Sequence, residues 1–282
     1  MFVPPQFITV GPLTVYFYSL FILLGIILGF LLARPEAKRF GLASEELALS
    51  IFYALIPGFI GARLYHVIDL WSVYSAHPLQ ILETWNGGLG ILGGLVGGLL
   101  GLGFFWWLRW GTGSGPGWRQ GNFPWLFNSR RQTGRSQHLP FLRLLDIYVP
   151  SVLLAQAIGR FGNWTNQEAF GPPTDVPWRI YIAPENRPDR YVGSSYFHPT
   201  FFYEAGFDFV GLAIVLLLRP RLRRRPGAVL GAYLVIYGLG RFIVEFYRFG
   251  TAHIGGIATA HIVAVVLVFG GSWLLVRESR AT

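Results

Sequence analysis

LTVYFYSLFILLGIILGFLLA, residues 13–33, contains no Asp, Glu, Lys or Arg. About 20 mostly apolar residues are enough for a helix to cross the hydrocarbon core of a bilayer, so this run reads as a membrane span. It is too long for the apolar core of a cleaved signal peptide, and no basic residue precedes it. Six further candidates follow, roughly at 47–70, 87–108, 143–163, 198–218, 228–248 and 258–276. The whole chain agrees with this reading. Of its 282 residues 52% are hydrophobic, 17% aromatic and only 13% charged, whereas soluble domains carry about 25% charged residues. A soluble globule and a disordered chain are both excluded. There is no Cys, which excludes disulfides, thiolate metal sites and a cysteine nucleophile in the protein itself.

The net charge of +9 would suggest nucleic acid in a soluble protein; in a membrane protein it first reports topology. Segments 1–12, 71–86 and 249–257 hold no Lys or Arg, and 164–197 holds Arg179, Arg187 and Arg190. The alternate segments are rich: three in 34–46, five in 109–142, five in 219–227 and two in 277–282, fifteen against three. The positive-inside rule places the N-terminus outside and the C-terminus in the cytoplasm. The expected class is therefore an all-α polytopic integral membrane protein with seven transmembrane helices. Residues 109–142, rich in Gly, Arg and Ser, read as a flexible basic cytoplasmic loop beside anionic lipid rather than as an RNA site. Residues 164–197, of mixed charge, read as an ordered loop or small domain on the outer face. The seven spans form one domain over 1–282. No internal repeat is visible, which leaves an inverted-repeat transporter unsupported.

An ionisable group inside a span costs about 2.5 kcal/mol or more unless paired or hydrated, yet this chain places many there. GARLYHVID (61–69) sets Arg63, His66 and Asp69 three apart on one helical face. Arg143 and Asp146 open the fourth span and Arg160 closes it; Glu204 and Asp208 lie in the fifth. Arg241, Glu245 and Arg248 form a plus-minus-plus row in the sixth. Internal ion pairs or snorkelling explain Arg143, Asp146 and Arg248 equally well. They explain Arg160 and Arg241 less well, because few acids lie near them in sequence and two arginines meet through a shared anion. Guanidinium grips phosphate with a bidentate fork that lysine lacks. The densest segment is GRFGNWTNQEAFG (159–171), where Arg160, Asn163, Asn166 and Glu168 exceed what helix capping needs. HPTFFYE (198–204) enters the next span from the same side, with His198, Tyr203 and Glu204.

GRFGNWTNQEAFG closely resembles the signature of the bacterial prolipoprotein diacylglyceryl transferase family. HPTFFYE, GARLYHV (61–67), YGLGRFIVEFYR (237–248), NGGLGILGGLVGG (86–98) and FYSLFILLG (17–25) resemble further family blocks in the same order, so the resemblance covers nearly the whole chain. It implies seven spans with the N-terminus outside, which the charge count gives independently. It implies transfer of diacylglyceryl from phosphatidylglycerol to the lipobox cysteine thiol of a preprolipoprotein, releasing glycerol phosphate. It also implies residence in the bacterial plasma (inner) membrane with the active site toward the outer face. Residue by residue, the family's phosphate-binding Arg matches Arg160, and its essential Asn and Gly match Asn163 and Gly171. Its second essential Arg matches Arg241, beside Glu245, and its essential tyrosines match Tyr18 and Tyr237. One departure stands out: where the third-span block often carries a histidine discussed as the base, this chain has Leu92. Where the family often has Gln near the last span, His261 aligns.

The implied chemistry is attack by sulfur on the glycerol carbon bearing the phosphate ester. Arg160 and Arg241 would clamp the phosphate, and an electropositive site would favour the thiolate. Candidates for the base are Glu245, His66, His198 and water, with Glu245 favoured instead as a residue that orients Arg241. Tyr18 and Tyr237 would donate hydrogen bonds to the headgroup, and Asn163 and Asn166 would bind glycerol hydroxyls. Arg63, His66, Glu168, Gly171, Tyr203 and Glu204 complete the expected substrate-binding set. No metal-ligand spacing appears, so neither metal nor cofactor is expected. The expected partners are phosphatidylglycerol, a lipobox signal peptide and membrane lipids, and no nucleic acid. Two other classes remain open: a lipid or small-anion transporter, and a catalytically silent lipoprotein-binding homologue.

Overall fold

The structure, a computed structural model, describes residues 2–111, 139–249 and 253–277. Most of the basic segment 109–142 lies outside the described residues. Among them seven helices are long and apolar enough to cross a membrane. They are α1 (Phe17–Arg39), α2 (Ser44–Asp69), α4 (Ile91–Trp106, continued by a π turn at Trp107–Gly111), α5 (Phe141–Asn166), α6 (Thr200–Leu222), α7 (Ala228–Glu245) and α8 (Thr259–Val276); a short α3 (Trp71–Ala76) follows α2. The first span starts four residues later than hydropathy suggests, because 13–16 pair as a strand with Phe7–Val10. The third starts at Ile91 rather than 87, since Gly87 and Gly88 hold positive φ of 83° and 77° that no helix continues. Among the described residues the sheet content is limited to three two-stranded antiparallel pairs.

The chain divides into two compact units, residues 34–144 and residues 1–33 with 145–282. In the first, α2 and α4 pack backbone against backbone. Apolar side chains gain nothing from leaving lipid for one another, so close helix contact relies on small residues and dispersion. The two rows repeat every four residues, Tyr53, Pro57 and Gly61 against Gly101, Gly97 and Gly93. A Cβ built on each of those glycines of α4 would strike the facing carbonyl oxygen. Gly93→Ala is accordingly expected to cost about 1–3 kcal/mol through overpacking. A melting temperature in detergent equal to wild type would refute the contact. At the start of α2, Glu46 accepts the Ala43 N–H at 3.1 Å and pairs with Arg109 at 2.8 Å.

In the second unit, α1 meets α5 through Gly25 against Ala155 and Gly29 against Ser151, whose hydroxyl donates to the Gly29 carbonyl at 2.6 Å. Val149 and Leu153 of α5, Val215 of α6, and Val229 and Ala232 of α7 form its core. Asp146 accepts the backbone N–H groups of Gly227 at 2.7 Å and Leu230 at 2.9 Å. A carboxylate from α5 thus caps the positive end of α7. Between α5 and α6, Phe170, Ile182, Phe197 and Phe201 gather a small aromatic core, and Ile180–Tyr181 pairs with Tyr196–Phe197. This arrangement brings the C-terminal ends of α5 and α7 and the N-terminal ends of α6 and α8 to one side.

Candidate functional site

At that side the chain resolves its buried charges into one network. Glu204, near the start of α6, is the centre. Its Oε2 lies 2.7 Å from Arg160 Nη2, and its Oε1 lies 2.9 Å from Arg241 Nη1 and 2.8 Å from Arg248 Nη1. Arg241 holds a second acid, with Nη2 2.6 Å from Glu245 Oε2. Both carboxylates are nearly removed from solvent, at 7% and 1% side-chain exposure. Isolated charges would not be stable at such depth; paired in this way they persist. The ion-paired groups, three guanidiniums against two carboxylates, keep one positive charge over. The anion that Arg160 and Arg241 share is a side chain of the protein, Glu204.

Arg160, Glu204, Asp208, Tyr237 and Arg241 line one small cavity of about 20 Å³, with Phe207, Ile236 and Gly240 as its apolar wall. That volume holds about one water. Tyr237 stacks on Tyr233 at 5.6 Å between centroids, and the Tyr233 hydroxyl bonds to Gln156. Tyr18 packs so closely on α5 that a Cβ on Gly162 would meet its ring. A glycine there lets the tyrosine lie beside Arg160.

The network continues into the signature segment. Arg160 Nη1 donates to Asn163 Oδ1 at 3.4 Å, and Glu168 Oε1 accepts from Asn163 at 2.9 Å and from Asn166 at 3.3 Å. Glu168 is flanked by two non-glycine residues in the left-handed region, Gln167 at φ 51° and Ala169 at φ 56°. Such backbone costs about 1–3 kcal/mol per residue and persists only where its surroundings over-determine it. Here Gln167 Oε1 accepts the Ala183 N–H at 2.7 Å, and the Ala169 carbonyl accepts from Thr200 at 2.7 Å.

His198 and Tyr203 form a separate group. The Tyr203 hydroxyl accepts from Trp178 at 2.8 Å and lies 3.0 Å from His198 Nδ1, while the His198 ring meets that of Tyr247. Gly171 is a backbone part of this group: its N–H donates to the His198 carbonyl at 2.8 Å, and Tyr247 leaves it no room for a side chain. Burial lowers the His198 pKa. The folded state therefore holds its proton less tightly than the unfolded chain. The corresponding stability is complete above the unfolded value, near 6.5, and is lost as pH falls through it. His198→Asn is expected to flatten the decline in melting temperature between pH 7.5 and 5.5; an unaltered slope would contradict this.

Arg63 and His66 belong to the other unit. Arg63 donates to the carbonyls of Ile81 at 2.8 Å and of Gly87 and Gly88 at 2.9 Å, and also to those of Gln80 and Glu83. It holds together the turns that lead into α4. His66 meets the Tyr74 ring, and Leu92 is exposed. Two residues outside the expected set belong to the Glu204 cluster. Arg248 is a direct partner of Glu204. Asp208 is buried and lines the cavity, and among the described residues it makes no hydrogen bond or ion pair. Its spacing of four from Glu204, one helical turn on the same face, was the available signal.

The model of a family described as prolipoprotein diacylglyceryl transferase matches residues 5–115 and 124–277. The phosphatidylglycerol–prolipoprotein diacylglyceryl transferase of Halalkalibacterium halodurans is 34% identical over 270 residues, covering 94% of this chain and 82% of that one. Proteins of the same name from Thermosynechococcus vestitus and Gloeobacter violaceus are 32% and 34% identical, covering 97% and 98% of this chain and 92% and 94% of theirs.

Proposed function

The chain belongs to the prolipoprotein diacylglyceryl transferase family, and on that premise we propose that Arg160 and Arg241 hold the phosphate of phosphatidylglycerol while its diacylglyceryl group passes to a prolipoprotein cysteine. The observation that carries this reading is the convergence of both arginines on one cavity around Glu204. A guanidinium has five N–H donors, so each arginine can keep its carboxylate and still offer a face to phosphate. The cysteine sulfur of the lipobox attacks the glycerol carbon that carries the phosphate ester. A carbon–sulfur bond forms, the carbon–oxygen bond breaks, and its electron pair stays on the leaving glycerol phosphate. The departing group gains a negative charge, which arginines fixed beforehand by Glu204 and Glu245 stabilise without rearranging.

The thiol proton needs an acceptor. Glu204 and Glu245 are committed to arginines, Leu92 has no basic atom, and His198 is engaged with Tyr203. Asp208 takes the proton in this reading, because it faces the cavity with both oxygens uncommitted among the described residues. Loss of a general base costs typically 10²- to 10⁴-fold, and Asp208→Asn is expected to fall in that range in kcat with KM for lipid little changed. An Asn variant of wild-type rate would remove Asp208 from the chemistry.

Asn163 and Asn166, oriented by Glu168, meet the glycerol hydroxyls of the headgroup. Tyr18 and Tyr237 border the phosphate. Within the unit that holds the Glu204 cluster, the basic residues from Arg219 to Arg225 and Arg277 lie at the opposite ends of α6, α7 and α8 from it, which supports an active site toward the outer face of the plasma membrane with the C-terminus inside. The deciding measurement uses purified protein in phosphatidylglycerol vesicles, a synthetic lipobox peptide and lipid labelled in its acyl chains. Thioether-linked label on the peptide is the expected product. Its absence with folded protein would leave only lipid binding, the activity of a transporter or a silent homologue.

A further inference from the structure

A second, larger hollow of about 390 Å³ opens beside the clamp and takes no part in the chemistry above. Arg190, Arg248, His253 and His261 supply its basic wall, and Glu245 its one acid. Glu245 already faces Arg241. Arg190 lies over the rings of Tyr191 and Phe249, at 4.7 and 5.0 Å, and among the described residues makes no hydrogen bond or ion pair. Its planar head is held in place by stacking, with its N–H donors left for a ligand. His261 is wedged between Phe242 and Phe246, and its Nε2 is a buried ring nitrogen with no hydrogen-bond partner. Buried polar atoms of this kind are uncommon without a ligand or water to satisfy them.

Two residues belong to both places. Arg248 lines the hollow and bonds to Glu204 Oε1, the oxygen that also holds Arg241. Glu245 lines the hollow and holds Arg241 from behind. The hollow thus begins where the clamp ends, and it is lined by segments that precede α6 and follow α7, together with Glu245 at the end of α7 and His261 at the start of α8. The ligand chemistry it suits is a phosphate ester, small and doubly charged, gripped by the guanidiniums of Arg190 and Arg248.

We propose that this hollow is a binding site for the glycerol phosphate released by the transfer, a station between the clamp and the aqueous face. The assignment rests on the function proposed above. A product of growing negative charge is bound most tightly by the clamp just after the bond breaks. A neighbouring site of the same sign, sharing Arg248 with it, lets the product leave in two shallow steps rather than one deep one.

The test measures equilibrium binding of radiolabelled glycerol phosphate to the full chain in nanodiscs of zwitterionic phosphatidylcholine. Saturable binding is expected. Arg190→Ala should raise Kd by about ten-fold or more, the scale of one charge-assisted hydrogen bond. Arg190→Lys should fall between, because charge survives without the fork. Arg179→Ala, which removes an arginine paired with Asp175 that lines neither place, should leave this Kd within about two-fold. The reverse pattern, loss with Arg179→Ala and none with either Arg190 variant, overturns the proposal. Adding phosphatidylglycerol to the nanodiscs separates the two sources of phosphate. Undiminished glycerol phosphate binding supports a product station, whereas displacement by the lipid makes the hollow a headgroup subsite and overturns it. The same preparation is assayed for transfer. Absence of thioether product with glycerol phosphate binding intact would defeat the function proposed above and leave the anion site standing.

Discussion

Arg160→Ala is expected to abolish transfer, with a rate at least about 10³-fold below wild type. Removing a single preorganised donor to a developing oxyanion costs roughly 10²- to 10³-fold. Here the same change also strips Glu204 Oε2 of its 2.7 Å partner. A buried carboxylate left with one partner fewer is destabilised by several kcal/mol more. Arg160→Lys restores charge but not the fork, and remains down by about 10²-fold. The loss falls on kcat and kcat/KM together, because the arginine matters most when charge builds on the leaving phosphate. The assay is steady-state transfer to a lipobox peptide in phosphatidylglycerol vesicles. A variant with an unchanged kcat and only a raised KM would show that Arg160 merely collects lipid.

Glu204→Gln has the second largest effect, and for a different reason. The amide keeps the shape of the side chain but leaves Arg160, Arg241 and Arg248 crowded around a neutral group, with Glu245 alone to balance them. Breaking a buried pair by removing one partner costs about 3–5 kcal/mol, and three pairs share this carboxylate. Activity is lost, and the melting temperature in detergent falls by on the order of 10 °C. Phosphatidylglycerol should return part of that stability to the variant, because its phosphate supplies the missing anion. A variant as stable as wild type without anionic lipid would show that the arginines do not depend on Glu204.

These two outcomes mark where sequence reading reaches its limit. The seven spans were legible because hydropathy is a property of consecutive residues. Their ends were less so: strand 13–16 and the Gly87–Gly88 turn are as apolar as the helices they precede. The signature segment and both arginines were legible from charge placed where a bilayer rejects it. What Arg160 and Arg241 touch was not, since Glu204 lies 37 residues before Arg241 and 44 before Arg248. Pairing across that distance is set by how helices align, which no spacing rule reports. Arg63 shows the converse. Its place beside His66 and Asp69 in sequence suggested a binding role, while its guanidinium is spent on carbonyls of turns 17 to 25 residues downstream. Asp146 likewise caps α7 from more than 80 residues away.

The left-handed turn around Glu168 has a practical side for anyone seeking a more robust enzyme. Ala169 carries φ 56° with a side chain that makes no polar contact, so Ala169→Gly relaxes the backbone while leaving the Thr200 hydrogen bond to its carbonyl in place. Relief of about 1 kcal/mol is available from that single methyl group. Glycine would also free Glu168 to wander from Asn163 and Asn166, which it now holds in register with Arg160. The easiest stabilising mutation in this region is therefore one that trades turnover for shelf life, and a screen scored by heat resistance alone would select it.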